Sequence, residues 1–148
     1  MNDQSDNANH ASPHILITDD SATMRAVIRR TLGMAGFDTD HVEQATNGRE
    51  AFETVQRATE SGQPFDLLLL DLHMPEMTGM ELAAKLHEEP SVAGGAKVIV
   101  VSSEATDARV EEMFEKGVAG YVIKPFTPEQ IRDVAEQALG YSPQAEAA

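Results

Sequence analysis

The sequence predicts a single doubly wound α/β domain built on a parallel five-stranded sheet. Three observations carry this. Short β-branched or leucine-rich runs alternate with helical patterns five times along 148 residues. Two of those runs, 67–70 (LLLL) and 98–101 (VIVV), are continuously apolar, as strands are when helices cover both faces of a sheet. A 41% apolar composition on this length suits one compact core.

Residues 1–13 (MNDQSDNANHASP) are polar and are expected to form a disordered leader. The first strand is expected over 14–18, ending at Asp19-Asp20, and the first helix over 22–35. The second strand is placed at 39–44 and the second helix at 48–61, with Asn47 and Glu50 spaced as a capping box. The third strand, 65–70, ends at Asp71. Thr78 and Glu81 form a second capping box and open a third helix over Gly79–Glu88. The fourth strand, 97–101, ends in Ser102-Ser103 and leads to a fourth helix over 107–116. The fifth strand, Gly120–Ile123, ends at Lys124. Thr127, Pro128 and Gln130 supply a cap, an N1 proline and an N3 partner for a fifth helix over Pro128–Leu139. That helix carries Ile131, Val134, Ala135, Ala138 and Leu139 on one stripe. Gly36, Gly62, Gly117 and Gly140 stand where helices should stop. Residues 14–140 are thus read as the folded domain and 141–148 as a tail.

Composition excludes several functions. There are no cysteines, which removes disulfides and thiolate metal sites. The formal net charge of -14 argues against nucleic acid and anionic membrane surfaces as partners. No apolar run is long enough to span a bilayer. No basic stretch followed by an apolar one opens the chain, so a cytoplasmic protein is expected. Neither a phosphate-binding P-loop nor a Gly-x-Gly-x-x-Gly motif is present.

The strand ends carry the chemistry. Open α/β sheets bind ligands outside the carboxyl ends of their strands, where the strand order reverses. In a 2-1-3-4-5 order, the first and third strands are neighbours at that point, so Asp19, Asp20 and Asp71 converge there. Three such carboxylates repel one another and are costly to bury unpaired. A hard cation resolves the conflict, and an all-oxygen set suits Mg2+ rather than zinc. Lys124 pairs with Asp71 at rest in this reading, and the Ser102 hydroxyl can donate to a phosphoryl oxygen. Asp71 is the candidate nucleophile for an aspartyl-phosphate, while the adjacent Asp19 and Asp20 suit a metal shelf.

At these residues the chain resembles a bacterial two-component response-regulator receiver domain. The resemblance runs from about Pro13 to Gly140 and rests on matches in the family's order: the pair Asp19-Asp20, Asp71 within DLHMPEMTG, Ser102, Tyr121 and Lys124-Pro125. It implies the flavodoxin-like, CheY-like (βα)5 fold. It implies that Asp20, Asp71 and the backbone carbonyl of His73 ligate Mg2+, with Asp19 acting largely through water. It implies a sensor histidine kinase as phosphoryl donor to Asp71, a cis Lys124-Pro125 bond, Ser102 and Tyr121 as switch residues, and a protein target on the face of the fourth helix, fifth strand and fifth helix. His73 and Glu104, two residues beyond Asp71 and Ser102, fall where the family tunes phosphoryl lifetime. A phosphatase is a further expected partner, and monomer and phosphorylation-dependent dimer both remain open. With no output module after Gly140, the chain looks like the single-domain, CheY-like subgroup, and its first helix resembles chemotaxis members. The resemblance implies a switch that assists its own phosphotransfer and autodephosphorylation rather than a conventional enzyme.

Other readings are a phosphorelay carrier or kinase-regulating receiver, a Mg2+-dependent phosphatase of small esters, a flavodoxin-like electron carrier and a phosphate-independent adaptor. The phosphatase reading is weakened by histidine, not aspartate, at position 73, and the electron carrier by the acidic pair after the first strand. His10, His14, His41 and His87 show no constellation, and Met24, Met34, Met74, Met77, Met80 and Met113 read as packing or adaptable contacts. Phe114, Val118 and Ala119 read either as apolar area near the expected target face or as core packing.

Overall fold

The computed structural model describes residues 12–103 and 106–141. Most of the leader, the tail beyond Tyr141 and Glu104 lie outside the described residues. In chain order the elements are β1 (Ile15–Thr18), α1 (Ala22–Met34), β2 (Val42–Ala45), α2 (Gly48–Glu60), β3 (Leu67–Asp71), α3 (Gly79–Glu88), α4 (Pro90–Ala93), β4 (Lys97–Ser102), α5 (Asp107–Glu115), β5 (Gly120–Ile123) and α6 (Pro128–Leu139). The five strands form one sheet, all parallel, in the order β2-β1-β3-β4-β5.

The alternation of side chains along each strand divides the core into two layers. On one face Ile15, Ile17, Leu67, Leu69, Ile99 and Val101 meet Ile28 and Leu32 of α1 and Ile131 and Ala135 of α6. On the other, Leu16, Leu68, Leu70, Val98 and Val100 meet Ala51 and Val55 of α2, Leu82 and Leu86 of α3 and Met113 of α5. Each of the larger aliphatic side chains stabilises the fold by about 1.5–3 kcal/mol on transfer from water. Burial on both faces explains why β3 and the interior of β4 carry no polar residue before their last positions.

The helix starts follow local chemistry. Thr78 and Glu81 close a full capping box, as do Thr127 and Gln130. Asn47 accepts from the Glu50 backbone N–H, but the expected box is only half formed. The Glu50 carboxylate turns instead to the backbone N–H and hydroxyl of Thr46. That backbone hydrogen bond from Thr46 holds the Glu50 carboxyl below its ordinary value. The diversion ties the β2–α2 loop next to the site.

Some boundaries differ from expectation. β2 starts at Val42 rather than at residue 39, because 38–40 form a turn in which Asp38 accepts from the Asp40 N–H at 2.9 Å. β3 and β4 each run one residue further than expected and include Asp71 and Ser102. The short helix α4 was not anticipated, although Pro90 at its N1 position and left-handed Gly94 at its end are ordinary start and stop signals. Met34 is 67% exposed and does not pack.

Candidate functional site

Parallel register brings the predicted residues to one sheet edge. Thr18 pairs with Leu70 and Ala45, so Asp19 and Asp71 leave adjacent strands side by side. Asp71 pairs with Val101, and Ser102 follows on β4. Ser102 pairs with Ile123 of β5, and the next residue, Lys124, donates its backbone N–H to the Ser102 carbonyl at 2.8 Å. The Lys124-Pro125 bond is cis, as the resemblance implied.

One carboxylate oxygen from each of Asp19, Asp20 and Asp71 lies within 4.8 Å of the others. Asp19 and Asp71 are buried, while Asp20 is exposed. Lys124 Nζ stands 3.5 Å from Asp71 Oδ1 and 3.6 Å from Asp19 Oδ2. The lysine therefore bridges both buried carboxylates, not Asp71 alone. Burial pushes the Asp71 carboxyl above its ordinary value; the Asp19 charge adds to the rise, and Lys124 and the His73 backbone N–H oppose it. Burial outweighs the lysine, so at neutral pH the Asp71 charge is a net cost to the fold.

Asp19 is tied at three points. Its N–H donates to Ala45 O at 3.2 Å, its Oδ1 accepts from the Ser21 N–H at 2.9 Å, and its carbonyl accepts from Arg25 Nη1 at 2.8 Å. Its remaining polar atom, Oδ2, is buried without a hydrogen-bond partner. That oxygen has the Lys124 ammonium at 3.6 Å and two other carboxylates nearby but no hydrogen bond, and the all-oxygen donor set fits a hard divalent cation.

Two glycines let the segment from Asp71 to Gly79 close up. A Cβ on Gly79 would lie 2.2 Å from Asp71 O, and one on Gly48 would lie 2.5 Å from Met77 O. Between Asp71 and Gly79, Met77 N–H donates to Pro75 O at 2.7 Å around Glu76, whose φ is 68°. That is a strained γ-turn for a side-chain-bearing residue.

The remaining predicted residues are placed less tightly. His73 is exposed beside the site, with its backbone N–H on the Asp71 carboxylate. Tyr121 is half-buried on β5, with its ring edge-to-face on exposed Phe114 at 6.3 Å. Val118 is buried in the core, the second of the two readings its sequence position allowed. His14, read as part of no functional constellation, stacks on Phe65 at 4.0 Å and bonds Glu43 at 2.7 Å at the opposite sheet edge. Sequence reasoning also missed Arg25, because a guanidinium aimed at a backbone carbonyl leaves no pattern in the sequence.

Comparison with known proteins agrees with this geometry. A family model described as the response regulator receiver domain matches residues 15–136. A chemotaxis protein CheY homolog of Campylobacter jejuni is 35% identical over 126 residues, covering 85% of this chain and 92% of that protein. Chemotaxis protein CheY1 of Helicobacter pylori is 33% identical, covering 85% and 96%. The structure of Vibrio cholerae chemotaxis protein CheY4 superposes with a TM-score of 0.73 at 30% identity, covering 87% of this chain and 100% of that one.

Proposed function

The chain belongs to the response regulator receiver family, and from that membership we propose that it is a phosphorylation-activated switch that takes a phosphoryl group on Asp71 from a histidine kinase. The observation that carries this is the clustering of Asp19, Asp20 and Asp71 oxygens within 4.8 Å, beside a lysine 3.5 Å from Asp71. In the transfer, an Asp71 carboxylate oxygen attacks phosphorus, the P–N bond of the phosphohistidine breaks, and the imidazole leaves with the electron pair and takes up a proton. Asp20, Asp71 and the His73 carbonyl would hold Mg2+, with Asp19 acting through water. The ion would neutralise charge on the transferred oxygens. Lys124, already bridging Asp19 and Asp71, supplies a second positive charge, and Ser102 supplies a hydroxyl donor from the end of β4. Water later cleaves the acyl phosphate and returns inorganic phosphate, with His73 and Glu104 tuning that rate.

The product of this chemistry is a conformational state. The α5–β5–α6 face is the surface read by a protein target. It presents Phe114 and Ile123, 49% and 47% exposed, beside a groove lined by Tyr121, Gln130 and Val134. The chemotaxis relatives favour a target in that pathway. Residues 14–140 make up the receiver, acting in the cytoplasm; no described helix is long and apolar enough to cross a membrane.

The test is incubation with Mg2+ and acetyl phosphate, read by intact mass. A Mg2+-dependent phosphoryl adduct is expected on the wild type and not on Asp71→Asn. A folded wild type that binds Mg2+ and gains no adduct would end the proposal.

A further inference from the structure

We infer that Arg25 is a positioning residue for the metal end of the site, setting the peptide plane that joins Asp19 to Asp20. The inference rests on the Mg2+-dependent reading above and concerns a residue that ligates nothing. Arg25 lies one turn into α1 and is part-buried. Its Nη1 donates to the Asp19 carbonyl at 2.8 Å and its Nε to Gln44 Oε1 on β2 at 3.0 Å. One rigid fork therefore ties the first turn of α1, the end of β1 and the edge strand together.

The Asp19 carbonyl and the Asp20 N–H belong to one planar unit. Holding that oxygen fixes the plane from which the Asp20 side chain departs. The other ties on Asp19 are its N–H to Ala45 O, before the unit, and its Oδ1 from the Ser21 N–H, beyond Asp20; neither holds the carbonyl oxygen itself. With those three bonds in place, Oδ2 is the polar atom of Asp19 left toward the cluster. Without Arg25, the Asp19 carbonyl itself is unheld, and exposed Asp20 has more freedom to swing. A precise ligand geometry for a small cation then has to be assembled on binding instead of being present beforehand. Groups behind metal ligands act in this way, and their loss weakens binding without removing a ligand.

A pure charge effect of Arg25 would have a different signature, since a guanidinium near the site repels Mg2+ and its removal would tighten binding. Gln44→Leu keeps the guanidinium charge but removes its second anchor. Arg25→Lys keeps the charge but cannot span both acceptors. The experiment titrates wild type, Arg25→Ala, Arg25→Lys, Gln44→Leu and the Arg25→Ala/Gln44→Leu double variant with MgCl2 by calorimetry, without phosphodonor. The Asp20 and Ser21 amide resonances are followed in parallel. Arg25→Ala is expected to weaken Mg2+ binding on the order of tenfold. Gln44→Leu and Arg25→Lys should fall between it and wild type. The double variant should be no weaker than Arg25→Ala, because both changes break one strut. The Asp20 amide should move in every variant before metal is added.

Folded Arg25→Ala with wild-type affinity and an unmoved Asp20 amide would overturn the inference. Unaltered affinity in both Gln44→Leu and Arg25→Lys would overturn it, because a fork anchored at two points would then not matter, and tighter binding by Arg25→Ala would overturn it in favour of charge repulsion alone. If Arg25→Ala does not fold, Gln44→Leu decides, and wild-type affinity there is fatal to it. A wild type that binds no Mg2+ is a failure of the proposed function itself, and that result is separate from all of these.

Discussion

The two ends of the sheet treat polar groups in opposite ways. At the amino end, His14 is satisfied on every side. Its backbone N–H donates to Asp66 Oδ2 at 2.7 Å, its ring nitrogens meet Glu43 Oε2 at 2.7 Å and Gln63 O at 3.1 Å, and the ring stacks on Phe65. At the carboxyl end, two buried carboxylates share one lysine, and one oxygen has no hydrogen bond. The first arrangement holds β1, β2 and β3 in register. The second costs stability in the resting protein and leaves a place for a cation and a phosphoryl group.

The contrast can be broken most directly at Lys124. Lys124→Met leaves Asp19 and Asp71 facing each other and is expected to cost about 2 kcal/mol, lowering the thermal midpoint by roughly 4–8 °C. Adding Asp71→Asn in that background should restore most of the loss. Calorimetry that finds the two changes simply additive would mean the lysine does not bridge the pair.

At the other end, His14→Ala removes a ring stack and its hydrogen bonds, for an expected loss of about 1.5 kcal/mol. Mg2+ affinity should not change. A shifted metal isotherm in this variant would erase the distinction between the ends.

The smallest effect runs in the opposite direction. Asp71→Asn alone should raise stability at neutral pH by about 1 kcal/mol while ending phosphoryl uptake. The sign follows from the raised Asp71 carboxyl. Below the ordinary carboxylate value both folded and unfolded chains are protonated there, and the substitution brings no gain. As pH rises through the folded value, the wild type must bury a charge and falls behind the variant. Mg2+ should shrink the gap, since it stabilises only the protein that still has its ligand. Denaturation curves at several pH values, with and without Mg2+, check this; a gap that widens on acidification would reverse the assignment.

How much could be read beforehand follows from where each interaction lives. The continuous runs of β3 and β4 and the caps at Thr78 and Thr127 are local features, and the structure repeats them. Asp19, Asp20, Asp71, Ser102 and Lys124 were legible because a parallel sheet places strand-end residues together whatever the surrounding detail. The second lysine contact, to Asp19, was not, since it depends on the height of neighbouring strands. Glu50 looked like an N3 partner for Asn47 and serves Thr46 instead, a choice between two N–H groups one residue apart. His14 and Arg25 acquire their meaning only from partners 29 and 52 residues away for the histidine, and from a backbone carbonyl for the arginine. α4 was signalled by Pro90 and Gly94, and its four residues are too short for periodicity to show.

The segment from Asp71 to Gly79 would diverge in two ways under random mutation and selection for signalling. Position 79 has no room to vary, because the smallest added carbon would displace the backbone carbonyl of Asp71. Three residues earlier, Glu76 bends through a left-handed conformation that glycine or asparagine adopts with less strain. A population of descendants would therefore keep glycine at 79 in every survivor while position 76 drifted toward small residues.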